Sequence, residues 1–393
     1  MLKGWRHACV EEICEVVSVG IVIKPSQYYV ANGEGVRAFR SANIGENKII
    51  DRGWVYLSKA GHEANKKSAL REGDVLVVRS GAPGTACVVP QEFAGSNCID
   101  VVFARPDCEH VLPEYLASYT NSDVGKRHIA GNQGGLALKH FNVGAFKRLE
   151  VLLPPLPEQH KIAEILRTWD VTLEKLTALR AAKERRLDGL AATLIYHEQA
   201  EYAHLREFLS EVSARNRDQQ IARVLSVTNS AGFVLAEDQF AHRVASADLS
   251  NYKIVRRGQY AYNPSRINVG SIARLDAWDD GVLSPMYVVF EVLDGLDSDF
   301  FGHWLRSAEA RQRIALTAQG SVRETVSFGD LGSILVPVPA IERQRSISRA
   351  LNTARQEMVL IDAQIEALTR QKRGLMEKLL TGRLRVPQAE AAS

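Results

Sequence analysis

Four polar, glycine-rich loops carry most of the side chains in this sequence that could do chemistry. They are Arg79-Ser80-Gly81-Ala82-Pro83-Gly84, Gly131-Asn132-Gln133-Gly134-Gly135, Asn263-Pro264-Ser265-Arg266-Ile267-Asn268 and Gln319-Gly320-Ser321-Val322-Arg323-Glu324. The chemistry they suit is recognition rather than bond making. Arg offers a fork of N–H donors that matches guanine O6 and N7, and Asn or Gln offers a donor and an acceptor that match adenine N6 and N7. Any one of these loops reads equally well as an ordinary surface turn, and neighbouring lysines and arginines can touch phosphates without reading sequence.

The sequence is poor in bond-making constellations. Asn263-Pro264-Ser265-Arg266 lacks the second proline and the aromatic of an amino-methyltransferase Asn-Pro-Pro-Tyr loop, and no G-x-G-x-x-G follows a strand and opens a helix. Gly81-Ala82-Pro83-Gly84-Thr85 lacks the Gly-Lys-Ser/Thr ending of a phosphate-binding loop. Pro106-Asp107 is not followed at a useful distance by the E-x-K of a nuclease metal site. The ten histidines include no H-x-x-x-H or H-E-x-x-H pair, and His160 reads as a surface residue at a helix start. The five cysteines (Cys9, Cys14, Cys87, Cys98, Cys108) are odd in number and none has C-x-x-C spacing, so buried, reduced thiols are expected. The sequence thus predicts a chain with no catalytic residue, no metal ligand and no cofactor of its own.

The composition of 46% hydrophobic and 24% charged residues over 393 positions excludes disorder and a fibrous fold and suits two to three globular domains. No apolar run reaches the roughly 18 to 20 residues of a membrane span, and the start MLKGWRHACVEEIC lacks the apolar core of a signal peptide, so an intracellular, cytoplasmic protein is expected. A net charge of +3 allows nucleic-acid binding without arguing for it, so any such binding must rest on local patches.

The elements that must position the loops come as two copies. Residues 151–196 superpose without a gap on 336–381, Gln159 on Gln344, at an offset of 185 (344 − 159), with Ile162 on Ile347, Leu166 on Leu351 and Gly189 on Gly374. More weakly, Arg71-Glu72-Gly73-Asp74 falls on Arg256-Arg257-Gly258-Gln259. Each repeated segment follows a proline-rich lead-in, Pro154-Pro155-Leu156-Pro157 or Pro337-Val338-Pro339, which stops the upstream strand. Apolar residues then recur at alternating spacings of four and three, the pattern of a coiled-coil seam, interrupted by Arg180 and Lys183 in one copy and Lys372 in the other. Those interruptions predict imperfect pairing or an opening toward another partner, and the equivalence of Gly189 and Gly374 predicts a close helix crossing. The expected fold class is α+β: two α/β recognition units separated by a pair of long helices in an antiparallel coiled coil, with an internal pseudo-two-fold repeat. The expected spans are 1–150, 151–200, 201–335 and 336–385, with a tail over 386–393.

The Pro-Leu-Pro-Glu-Gln-His-Lys-Ile-Ala-Glu-Ile-Leu segment and the Leu379-Leu380-Thr381-Gly382 ending resemble the specificity subunit of Type I restriction-modification systems. The likeness runs through nearly the whole chain, including Gly73-Asp74-Val75-Leu76 and Ser284-Pro285-Met286-Tyr287; it departs where Glu342-Arg343-Gln344 replaces Pro-Glu-Gln. The resemblance implies two target recognition domains, each reading one half of a split, asymmetric site in double-stranded DNA, and a coiled coil that sets the spacer. It also implies two methyltransferase (modification) subunits docked on the repeated helices, motor-nuclease (restriction) subunits beyond them, and S-adenosylmethionine, ATP and Mg²⁺ on those partners. Under it, Arg79, Ser80, Gln133 and Lys139 in the first unit and Asn263, Arg266, Asn268, Gln319 and Arg323 in the second are the expected DNA contacts. Pro157, Glu158, Gln159, Ile162 and Leu166, with Gln344, Ile347 and Leu351, are the expected spacer and docking residues. A specificity partner of a fused restriction-modification enzyme and a coiled-coil assembly adaptor without DNA readout are the competing readings.

Overall fold

The computed structural model describes residues 4–131, 141–196, 201–239, 248–319 and 325–386. The chain forms two compact units, one of residues 1–178 with 363–393 and the other of residues 179–362, so both long helices contribute to both. Each helix is 40 residues long, Leu156–Ile195 and Ile341–Leu380.

In the first unit a four-stranded antiparallel sheet runs in the spatial order Cys14–Val19, Val101–Pro106, Val75–Val78, Ala86–Val88. Val75 to Val78 are buried throughout, as the unbroken Val-Leu-Val-Val run requires of a strand covered on both faces. Arg6–Cys9 pairs antiparallel with Glu150–Leu153, just before the proline lead-in. Helices Pro113–Asn121 and Asp123–Gly131 cover the sheet. The chain breaks at Ser122, which is extended, and its hydroxyl accepts from Gly125 N at 3.3 Å to start the next helix. A Cβ at Gly125 would lie 2.5 Å from the carbonyl oxygens of Tyr119 and Thr120, so the sharp turn needs glycine. A smaller sheet, built from segments between Cys14–Val19 and Val101–Pro106 in the chain, runs in the order Asn97–Cys98, Val36–Phe39, Val55–Leu57, Tyr29–Val30.

The second unit repeats the core. Its sheet runs Leu209–Glu211, Val288–Val292, Tyr260–Tyr262, Ile272–Arg274, again antiparallel. Tyr202–His204 pairs with Leu335–Pro337, and helices Ser298–Leu305 and Ala308–Gln319 cover the sheet. The repeat reaches single hydrogen bonds: Asp74 Oδ2 accepts from Arg71 N at 2.8 Å, and Gln259 Oε1 from Arg256 N at 2.9 Å. The glycine before each, Gly73 or Gly258, sits at φ +82° or +86°, which the turn demands.

The helices pack together antiparallel within each unit. In the first, Ile162 and Leu166 share a core with Met376, Leu379 and Leu380; in the second, Leu187 and Ile195 share one with Ile347 and Leu351. The seam is not open at its charged positions. Lys372 is buried and pairs with Asp170, Arg180 donates to Asp362 at 2.9 Å, and Lys183 to Glu357 at 2.6 Å. No close crossing exists at the repeated glycines either, because a Cβ on Gly189 or Gly374 would meet nothing within 4 Å. The cysteines are free thiols, but Cys108 is exposed where a buried thiol was expected.

Candidate nucleic-acid interface

Two of the four polar loops occupy the same place in the repeated sheet. Arg79 to Gly84 link Val75–Val78 to Ala86–Val88, and Asn263 to Gly270 link Tyr260–Tyr262 to Ile272–Arg274. The sheets hold their ends alike, while the loops themselves differ in sequence, length and shape.

In the first unit Arg79 faces inward. Its Nε donates to Phe141 O at 3.0 Å and its guanidinium pairs with Asp100, which reaches it from a left-handed backbone position at φ +50°. Only 16% of the side chain is exposed. A guanidinium held by a carboxylate and a carbonyl is a brace for the loop. Ser80 is half-buried beside it. Gln133 and Lys139 lie outside the described residues.

In the second unit the loop is built to present side chains. Asn263 Oδ1 accepts from Ser265 N at 3.0 Å, an Asx turn that shapes the start of the loop. Arg266 N donates to Asn263 O at 2.9 Å, and buried Ile267 anchors the 3-10 turn Ile267–Val269, closed by Gly270 at φ +94°. Arg266 and Asn268 are exposed on either side of that anchor. Gln319 is the last residue of helix Ala308–Gln319, and Arg323 lies outside the described residues.

The expected docking residues are mostly interior. Glu158 is buried, accepts from Trp5 Nε1 at 3.0 Å and takes both arms of Arg385 at 2.8 and 2.9 Å. Gln159 and Gln344 are buried and hydrogen-bonded within their own units, and Ile162, Leu166, Ile347 and Leu351 are core residues. They fix the helices in place, and Pro157 alone of the set is exposed. His160 is exposed.

Sequence reading missed a polar chain in the second unit. Arg355 Nε donates to His303 Nδ1 at 3.3 Å, so the other ring nitrogen carries the proton and donates to Asn352 Oδ1 at 2.8 Å. Asn352 Nδ2 donates to Asp299 at 2.8 Å, and Asp299 pairs with Arg274 at 2.5 Å. Burial pushes the His303 imidazole down to about 4, which keeps it neutral. These residues come from three separate segments, and no spacing in the sequence links them.

Among the described residues no three His, Cys, Asp or Glu side chains gather as a metal site, and no helix is long and apolar enough to cross a membrane.

Comparison with known proteins agrees with this architecture. The family model described as Type I restriction modification DNA specificity domain matches residues 3–183. A putative Type I restriction enzyme MjaX specificity subunit from Methanocaldococcus jannaschii is 21% identical over 98% of this chain and 94% of its own length. The Type I restriction enzyme EcoBI specificity subunit of Escherichia coli is 24% identical over 54% of this chain, which spans 43% of that relative's length. The crystal structure of a Type-I restriction-modification system S subunit from M. genitalium shares the fold, with a TM-score of 0.58 at 15% identity over 98% of this chain and 96% of that one.

Proposed function

We propose, on the premise that this chain belongs to the specificity-subunit family of Type I restriction-modification systems, that it recognises a two-part DNA sequence and performs no bond chemistry itself. The observation that carries this reading is the pair of hairpin loops, Arg79–Gly84 and Asn263–Gly270, which emerge from matching strands of a repeated sheet yet carry different side chains. A repeated frame with unlike tips suits two reading heads for two unlike half-sites.

In the second unit the readers are Arg266 and Asn268, exposed and preset by the Ile267 anchor, with Arg323 and Gln319 as further candidates. In the first, Ser80, Gln133 and Lys139 remain the candidates, and Arg79 braces the loop that carries Ser80. The paired helices act as the spacer between half-sites; each is about 60 Å long at 1.5 Å per residue. Modification subunits dock on the exposed faces of those helices and restriction subunits join them, with S-adenosylmethionine, ATP and Mg²⁺ held by these partners in the cytoplasm.

The test is a binding selection from a randomised duplex library with the full chain, alone and with its modification subunits, comparing wild type with Arg266→Ala and Asn268→Ala. Each substitution is expected to relax preference at one base position of one half-site, at about 1–3 kcal/mol of discrimination. Unchanged preference in both variants would remove this loop from the reading surface.

A further inference from the structure

The second unit contains a cleft of about 630 Å³ between the turn Thr228–Phe233, strand Ile272–Arg274, the helices beginning at Ser298 and Ala308, and one face of the second long helix. Four arginines line it: Arg274, Arg306, Arg311 and Arg355. Its two carboxylates, Asp276 and Asp299, are both committed to Arg274, at 2.7 and 2.5 Å. None of the other three guanidiniums has a carboxylate within ion-pair distance among the described residues. Arg306 donates to the carbonyl of Gly302 at 2.8 Å and Arg355 to the neutral ring of His303, so neither contact offsets a positive charge.

The arrangement is costly as it stands. Arg355 is half-buried, and burial together with the neighbouring Arg306 charge disfavours its protonated form; the field of Asp188 acts the other way without forming an ion pair. Arg306 and Arg311 are exposed beside half-buried Arg355, so an anion that arrives from solvent can reach all three and offset their charge.

The first unit supplies an internal comparison. At the 185-residue offset, Arg306, Arg311 and Arg355 correspond to Asn121, Lys126 and Asp170. There every group is satisfied internally: Asn121 bonds Asn47 and both backbone groups of Ala86, Lys126 pairs with Glu46, and Asp170 pairs with Lys372. The same framework is therefore neutralised in one unit and left cationic in the other, which fold maintenance alone does not require.

We propose that Arg306, Arg311 and Arg355 form an anion site that takes one backbone phosphate of DNA, present in the second unit and absent from the first. A phosphodiester, with one negative charge shared by two non-bridging oxygens and two ester oxygens in a tetrahedral array, offers acceptors in more directions to three guanidiniums lining one cleft than the planar carboxylate of a protein side chain does. The proposal rests on the DNA-recognition reading above and adds to it a contact that positions the second unit without reading sequence.

The test measures binding of the full chain to its selected duplex and to a scrambled duplex as a function of KCl concentration, for wild type, Arg355→Gln, Arg306→Gln with Arg311→Gln, and Lys126→Gln. For the first two variants the slope of log K against log salt is expected to fall by about one, with affinity lowered equally on both duplexes. Thermal stability without DNA is expected to hold or rise in Arg355→Gln, because a repelled cation is removed; Lys126→Gln should keep the wild-type slope. Unchanged slopes while wild type still prefers its selected duplex would overturn the site and leave the recognition reading intact. An equal fall in Lys126→Gln would reduce it to general basicity. Unchanged DNA binding with weaker capture of the modification subunit would assign the cleft to an acidic protein segment and overturn the phosphate. A wild-type chain with no duplex preference, alone or with its modification subunits, would defeat the recognition reading itself.

Discussion

Gln159 and Gln344 make the same three hydrogen bonds in the two units. Gln159 Oε1 accepts from Leu112 N at 2.9 Å while its Nε2 donates to the carbonyls of His110 and Pro154; Gln344 Oε1 accepts from Asp297 N at 2.7 Å while its Nε2 donates to Gly295 and Pro339. Each glutamine thereby ties the first turn of a long helix to the start of a sheet-covering helix and to the proline lead-in. Gln159→Leu or Gln344→Leu leaves a buried N–H and two carbonyls without a partner, and each is expected to cost about 2–4 kcal/mol. Urea unfolding of each variant measures this; a loss below about 1 kcal/mol would mean water replaces the amide.

The buried Lys372–Asp170 pair supports a second prediction, about the helix seam. Asp170→Ala leaves Lys372 in the interior without its charge partner and is expected to destabilise the first unit by about 3 kcal/mol. Adding Lys372→Met to that variant should recover most of the loss, since the seam then joins apolar surfaces. Equilibrium unfolding of the single and double variants decides it, and a double variant as unstable as the single would show that the charges do more than pair.

Gly189 and Gly374 sit within long helices with open space where a side chain would project. Gly189→Ala and Gly374→Ala are each expected to stabilise the isolated chain by roughly 1 kcal/mol through helix propensity. Thermal melts of the purified variants give the sign directly.

His303 carries a pH dependence. Its folded value, down to about 4, lies below the ordinary 6.5, so as pH falls below 6.5 the unfolded chain takes up a proton that the folded chain refuses. The His303 contribution is complete above pH 6.5 and is lost progressively as pH falls to 4, on the order of 2–3 kcal/mol in all. His303→Gln should flatten that part of the stability curve, measured by urea unfolding from pH 7 to pH 4. An identical curve in the variant would place the titration elsewhere.

Much of the frame was legible because it is local. The proline lead-ins, the gapless offset and the alternating apolar spacing each lie within one segment, and they mark both helices and the repeat. The charged seam positions were misread because periodicity sees one helix at a time: Lys372, Arg180 and Lys183 look like gaps until Asp170, Glu357 and Asp362 arrive from the other helix. Strand Arg6–Cys9 gave no signal, being four residues long and paired with Glu150–Leu153 far along the chain. Arg79 looked free because nothing near it in sequence announces Asp100, and the cationic cleft was invisible because its arginines come from a strand, the end of one helix and two further helices.

The most direct measurement is a map of methylated adenines in cells expressing this chain with its modification subunits, repeated after residues 201–335 are replaced by the matching region of another family member. A split motif whose one half changes while the other half and the gap persist is the expected result. Methylation with no motif, or a motif that ignores the replacement, would contradict the claim that this chain carries two independent DNA-reading units.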